Sequence, residues 1–197
     1  MDQNNTELKV QMEDVEAYLR SKYPGHSFEV TGCTPLAGTA RDYDEWFYNT
    51  LDAEGNAENE SSFVAMGRIN GDSYELTDDF YGELIRDEIV KNIRKAALEA
   101  GFSVIDIKAS FWEQFGSDEA KDISALDVLT GKINAGNDIK IFLDGSALKQ
   151  SSYENALVEL EKVFSQKKFT GDYYVVILKD KDADPARDRL YSDSFTL

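Results

Sequence analysis

The chain has 197 residues, of which 42% are hydrophobic, 30% charged and 12% aromatic, a composition that excludes a disordered protein. Cys33 is the only cysteine, which excludes a disulfide-stabilised scaffold. The 38 acidic and 21 basic residues give a net charge of −17, so direct binding to nucleic acid or to an anionic membrane surface is not expected.

The first half of the sequence predicts one helix followed by an antiparallel meander. Apolar residues recur at helical spacing from Glu7 to Tyr23, and Pro24-Gly25 ends this helix. Asn70-Gly71 is a typical signal for a β-hairpin. The alternating and apolar segments between these points predict four strands, at about 28–33, 41–51, 62–69 and 73–77.

The second half predicts further helices and strands, with a crossover between parallel strands near the C-terminus. Ser151-Ser152-Tyr153-Glu154 matches a capping box at the start of a helix that lies between apolar strands at 138–144 and 173–179. Residues 62–110 show a looser version of the same order. The other expected elements are a helix at 80–100, a strand at 102–110 and a short helix within 116–131.

These elements together predict an α+β fold, in which an N-terminal helix lies on an antiparallel meander and is followed by a helix and βαβ-type segments. We expect a helix-meander-helix-strand unit at residues 1–115 and a smaller βαβ unit at 116–197. A single continuous domain is the alternative at this length. No apolar run approaches the roughly 20 residues that span a bilayer, so no transmembrane segment is expected.

Three segments carry a wider pattern. They are Tyr18-Leu19-x-x-Lys22-Tyr23-x-x-x-x-Phe28-x-Val30, then Asp78-Asp79-Phe80-Tyr81 before a helix, and a Tyr-Glu-containing helix ahead of the last crossover strand. This pattern resembles uncharacterised proteins of Gram-positive gut bacteria, many of which look like lipoproteins. The resemblance implies no catalytic residues, because no activity is known for that family. It implies an extracytoplasmic location if the chain is a mature fragment. The residues after Met1 are polar and do not form a signal peptide, so a cytoplasmic location is the alternative.

The sequence lacks the common motifs of nucleotide and metal chemistry. Gly131-Lys132 has no glycine at the upstream position that a phosphate-binding loop requires, and His26 is the only histidine, which excludes a multi-histidine zinc site. Strand alternation places His26 and Cys33 on opposite faces, so a nucleophile–base pair is not expected. The acidic stretches at 52–60 and 180–188 depart from the calcium-loop template, although a looser calcium site in either stays open. We expect no metal and no cofactor.

The most unusual stretch of the chain mixes acids with large aromatic residues. It lies in a segment, Ala40 to Glu88, that holds 14 acidic and 3 basic residues. Carboxylates beside aromatic rings suit sugars and cationic groups, because the rings stack on C–H faces and the carboxylates accept hydrogen bonds from hydroxyl or ammonium groups. We therefore predict that the outer face of the strand at 41–51 binds a carbohydrate or a basic protein. The residues of this face are Asp42, Tyr43, Asp44, Trp46 and Tyr48. The alternative is that helices cover these aromatic rings and that they form the core.

Three functions remain open from the sequence. The favoured one is a non-enzymatic binding or interaction module, tethered at the cell surface. The first alternative is a cytoplasmic acidic protein that binds a basic protein partner, as nucleic-acid mimics and immunity proteins do. The second is a carboxylate-based hydrolase, because 38 acidic residues offer many pairs of carboxyl groups.

Overall fold

The computed structural model of the chain describes residues 3–35, 43–59, 62–70, 73–116 and 122–197. They fall into two compact units. The first unit comprises Met1–Tyr81 and Gln114–Asp122, and the second comprises Gly82–Glu113 and Ile123–Leu197. This division differs from the predicted one, 1–115 and 116–197, chiefly in where residues 82–113 fall. Whether the chain forms two separate domains or one continuous domain stays a prediction.

The first unit is the expected helix and meander. Its elements are α1 (Gln3–Lys22), β1 (Ser27–Thr34), β2 (Asp44–Leu51), β3 (Phe63–Asn70) and β4 (Ser73–Asp78). Each strand pairs antiparallel with the next, in the order β1-β2-β3-β4, which we call the first sheet. Asn70 pairs with Ser73, so the hairpin prediction is confirmed, while residues 71–72 lie outside the described residues.

The core of the first unit lies between α1 and one face of the first sheet. Apolar residues one helical turn apart on α1 are buried there, and strand alternation turns every second residue of β1 and β2 toward them. The buried cluster comprises Val15, Leu19, Tyr23, Phe28, Val30, Trp46, Tyr48, Ala65 and Phe80. The face of the first sheet that contributes to this cluster is called the inner face below.

The second unit contains most of α2 (Tyr81–Glu99), then β5 (Val104–Phe111), α3 (Ala125–Leu129), β6 (Asn137–Asp144), α4 (Tyr153–Gln166), β7 (Asp172–Leu178) and β8 (Arg189–Thr196). Its strands form the second sheet, in the order β5-β6-β7-β8. β6 and β7 pair in parallel with α4 between them in sequence, which confirms the predicted crossover. The α+β prediction is confirmed as a whole, because helices, an antiparallel sheet and a mixed sheet occur together.

Two local predictions need correction, and one strand has no counterpart among the predictions. A second crossover within residues 62–110 is wrong, because β3 and β4 belong to the first sheet whereas β5 pairs antiparallel with β6 in the second. The capping box is also wrong. A 3-10 turn at Gln150–Ser152 precedes α4, and Ser152 Oγ donates to the Lys149 carbonyl at 2.6 Å instead of capping the helix. Finally, β8 was not predicted at all.

The two tryptophans give a direct test of this core. Trp46 is completely buried, so Trp46→Ala should lower the free energy of unfolding by about 3–5 kcal/mol through lost packing and an internal cavity. Trp112, the other tryptophan, is 53% exposed, and Trp112→Ala is the matched control with an expected cost below about 1 kcal/mol. Urea denaturation followed by circular dichroism measures both. Equal losses in the two variants would contradict the assignment of Trp46 to the core.

Candidate functional site

The structure separates the residues of the predicted binding face. Trp46 and Tyr48 are completely buried on the inner face, so the prediction that they lie on an accessible outer face is wrong. Alternation correctly placed them on one side of the strand, but α1 covers that side. Tyr43 and Asp44 are half-buried at the start of the strand, and ligand binding by these two stays a prediction. Asp42 lies outside the described residues.

Tyr74 joins Asp44 and Trp46 into one small cluster. Its hydroxyl donates to Asp44 Oδ2 at 2.5 Å, and its ring meets the Trp46 ring edge to face, with 5.7 Å between centroids. The Tyr74 ring occupies the space beside Gly67, where a Cβ would lie 2.3 Å from the nearest ring carbon. A residue larger than glycine would therefore clash with the ring. The indole N–H of Trp46 has no hydrogen-bond partner within the described part of the chain. The cluster therefore closes the edge of the core.

Cys33 is poorly suited to act as a nucleophile. It pairs with Trp46 across β1 and β2, and its side chain is half-buried. Burial, reinforced by the negative charge of Asp44, raises the pKa of the Cys33 thiol. Because the thiolate is the reactive form, this environment lowers the reactivity of the sulfur.

The strongest polar feature of the first unit is a buried ion pair between the last residue of α1 and the last residue of β4. Lys22 Nζ lies 2.6 Å from Asp78 Oδ2, and both side chains are 0% exposed. The same ammonium donates to the Phe115 carbonyl at 2.7 Å and to the Tyr18 hydroxyl at 3.2 Å. Its three protons are therefore all used by groups inside the protein.

The carboxylate of Asp78 is equally saturated. Oδ2 accepts from Lys22 and from the Tyr18 hydroxyl at 2.8 Å, and Oδ1 accepts from the Tyr23 hydroxyl at 2.7 Å and the Phe80 amide at 3.1 Å. We call these side chains, together with the Phe115 carbonyl, the Lys22–Asp78 network. Burial and the charge of Asp78 raise the pKa of Tyr23, so that its hydroxyl stays a neutral donor.

The backbone completes this arrangement. Phe115 N donates to the Asp78 carbonyl at 3.0 Å, and Asp78 N donates to the Phe115 carbonyl at 3.1 Å, forming an isolated antiparallel bridge. The ring of Phe115 also meets the Tyr81 ring edge to face at 4.6 Å. The network therefore ties α1, β4 and the segment around residue 115 to one point. Its side chains come from two of the segments that carry the sequence resemblance.

Among the described carboxyl groups, Asp79 has the pKa that is raised most clearly. Its Oδ1 accepts from the Val64 amide at 3.0 Å and from the Tyr48 hydroxyl at 3.4 Å. Burial, opposed by the Val64 hydrogen bond and reinforced by the charge of Asp78, raises the pKa of Asp79 to about 6. A raised carboxyl pKa is a property that a general acid needs.

The acidic loops use their carboxylates to hold their own turns. Asp52 Oδ1 accepts from the amides of Glu54 and Asn56, at 3.0 and 2.8 Å. In the stretch at 180–188, Asp180, Asp184 and Asp188 each accept from a nearby backbone amide in the same way. Within the described ranges, no group of three or more His, Cys, Asp or Glu residues is placed to hold a metal ion.

No family model matches the chain, and no curated protein matches it. The chain is similar to the crystal structure of a DUF5037 family protein from Ruminococcus gnavus, with 15% sequence identity and a TM-score of 0.46. The match covers 88% of this chain and 77% of that chain. The resemblance to uncharacterised proteins of gut bacteria, with its lipoprotein character, stays a prediction. Among the described residues, no helix is long and apolar enough to cross a membrane.

Breaking the buried ion pair should destabilise the protein strongly. Lys22→Met leaves an unpaired buried carboxylate and should lower the free energy of unfolding by about 3–5 kcal/mol. Adding Asp78→Asn to this variant removes the unpaired charge and should restore part of the loss. Urea denaturation measures both effects.

Arg20→Met is the control for this comparison, because it removes an exposed ion pair with Glu16 from the same helix, where the side chains are 50% and 25% exposed. Its expected cost is below about 1 kcal/mol. If Lys22→Met cost no more than Arg20→Met, the structural role of the network would be refuted.

Asp79→Asn should reduce the dependence of stability on pH. The pKa of this carboxyl rises from 3.8 to about 6 on folding, so the wild-type protein loses stability as the pH rises from about 4 through 6. The amide does not titrate, and its oxygen can still accept from the Val64 amide. Relative to wild type, the variant should gain about 2–3 kcal/mol between pH 4 and 7, measured by urea denaturation at each pH.

Asp52→Asn is the control with the opposite sign. Hydrogen bonds from the side chain and the backbone of Asn56 lower the pKa of Asp52, so its stabilising contribution is present at neutral pH and disappears in acid. The deficit of this variant should therefore shrink as the pH falls. Parallel pH profiles for wild type and Asp79→Asn would contradict the environment described for Asp79.

Proposed function

We propose that this chain is a non-enzymatic binding module. The observation that carries the proposal is the saturation of the Lys22–Asp78 network. Lysine, tyrosine and aspartate side chains at these distances could otherwise act as general acids, bases or nucleophiles. Here every proton of Lys22 and both oxygens of Asp78 are taken by internal partners, and neither side chain reaches solvent. A substrate could not contact them without unfolding this part of the unit.

A carboxylate-based hydrolase is the second candidate, and the raised pKa of Asp79 is the observation that favours it. Glycoside hydrolysis needs two carboxyl groups that both reach the scissile bond. The adjacent carboxyl group, Asp78, is enclosed by four donors and neutralised by Lys22. This enclosure removes the obvious partner of Asp79 and is the reason that we favour binding over catalysis.

The negative net charge of the chain favours binding partners that are neutral or basic. The net charge of −17 opposes nucleic acids and anionic polymers at physiological ionic strength. A carbohydrate without charge or a basic protein meets no such barrier. A basic protein partner is favoured specifically by the 14 acidic and 3 basic residues between Ala40 and Glu88. Presentation at the cell surface belongs to the same proposal; its support is the sequence resemblance, and a hydrophobic export segment encoded upstream of residue 1 would test it.

The proposal predicts that the chain binds a ligand without cleaving it. We suggest titrating the labelled chain with protamine, cellohexaose and chitohexaose, and analysing the oligosaccharides by mass spectrometry after prolonged incubation. The expected result is saturable binding of a basic or neutral probe with no cleavage. Cleavage that Asp79→Asn abolishes would establish the hydrolase instead. Failure of all three probes to bind would also contradict the proposal.

A further inference from the structure

Trp112 is an exposed aromatic residue whose backbone is firmly held. It directly follows β5, at the point where Phe111 pairs with Asn137 of β6. The next residue continues this pairing, because Glu113 N donates to the Ala135 carbonyl at 3.3 Å. The side chain is nevertheless 53% exposed, whereas the only other tryptophan, Trp46, is completely buried. Tryptophan is highly buried on average in folded proteins, so an exposed indole on a fixed backbone is a candidate contact surface.

The indole lies flat on the backbone of Gly136. A Cβ added to this glycine would lie 2.1 Å from Nε1 and 2.5 Å from both ring carbons bonded to that nitrogen. Equal distances to the two flanking carbons, each only slightly longer than the distance to the nitrogen, place that point above the ring plane over Nε1. One face of the five-membered ring is therefore covered by the glycine, and the exposed area belongs to the other face and the edges.

Gly136 is suited to this contact in two ways. Its missing side chain lets the ring approach the backbone, and its φ of +55° lies in the left-handed region that favours glycine. The Asn134 side chain fixes the turn by accepting from Gly136 N at 3.2 Å. The ring thus rests on a backbone that is itself held in place, which limits the conformational entropy that a ligand would have to remove.

The surroundings of the ring are polar. Glu113 and Asn134 are exposed, and so are Ser110 and Asp138, which pair across β5 and β6 near the same end of the second sheet. The indole N–H lies in the ring plane and is therefore directed past Gly136 rather than into it. A ligand that lies on the open face would find one apolar surface and several hydrogen-bonding groups at its rim.

We infer that Trp112 is the stacking platform of a binding site for neutral oligosaccharides. A pyranose ring offers C–H groups to an aromatic face and hydroxyl groups to a polar rim, which matches this arrangement. Glu113 and Asp138 add negative charge beside the platform and disfavour anionic sugars. The inference rests on the proposed binding function and names its ligand class and location.

Fluorescence isolates this site, because Trp112 is the only tryptophan that acrylamide can reach in the folded chain. The full chain is titrated with cellohexaose and chitohexaose while emission and acrylamide quenching are recorded. We expect at least one of them to protect Trp112 from quenching in a saturable manner, and polygalacturonate, which is anionic, to give no protection. Isothermal titration then compares variants for that oligosaccharide.

Trp112→Ala should weaken this binding about tenfold or more, as the loss of a central aromatic contact does, and Trp112→Phe should retain part of it. Val158→Ala, which shortens an aliphatic side chain on α4 that is 57% exposed, should bind as wild type. If neither oligosaccharide protects Trp112, or if Trp112→Ala binds as tightly as wild type, the inference is overturned. Protamine binding in that case would leave the proposed function intact, whereas oligosaccharide cleavage would overturn the proposed function alone.

Discussion

A lysine and an aspartate buried together are costly to bring out of water, at several kcal/mol for each ion, and their attraction offsets this cost only when every remaining hydrogen-bonding group is matched. The pair formed by Lys22 and Asp78 meets this condition through Tyr18, Tyr23 and the Phe115 carbonyl. The first unit depends on it, because the end of α1, the end of β4 and the segment around residue 115 meet there.

The buried network and the core also limit which side chains are available to contact a ligand. The lysine, tyrosine and aspartate side chains of the Lys22–Asp78 network hold the first unit together, and the two residues predicted to stack on a ligand, Trp46 and Tyr48, form its core. Under the proposed binding function, a ligand is therefore contacted by residues that remain at the surface. In the second unit the surface offers Trp112, which has the size of a binding anchor and no role in the core. In this proposal the core and the ligand-binding surface use different tryptophans.

Local patterns in the sequence were sufficient for most of the fold. The crossover between β6 and β7 could be predicted because a strand, a helix and a strand follow one another with clear periodicity. β8 could not, because its residues are mostly polar and follow an acidic stretch; it is recognisable only through its pairing with β7. Strand alternation grouped Trp46 with Tyr48 correctly but carries no information on which side a helix covers.

The sites were harder to predict than the fold because they depend on distant residues. Lys22 and Asp78 both belong to the segments of the sequence resemblance, yet they are 56 residues apart and nothing local indicates that they touch. Nothing local in the sequence singles out Trp112, because a single aromatic residue after a strand is typical of the core. Only its contact with Gly136, reached through the pairing of β5 with β6, reveals that one face is supported and the other open.

Native-state hydrogen exchange tests the central role of the buried pair most directly. The amide of Phe115 lies outside the sheet ladders and donates to the Asp78 carbonyl, and the amide of Phe80 donates to the Asp78 carboxylate. If the network holds the first unit together, both amides should exchange as slowly as those in the centre of β2, through global unfolding of the unit. Exchange of either amide at the rate of an unstructured peptide, with β2 still protected, would contradict this account.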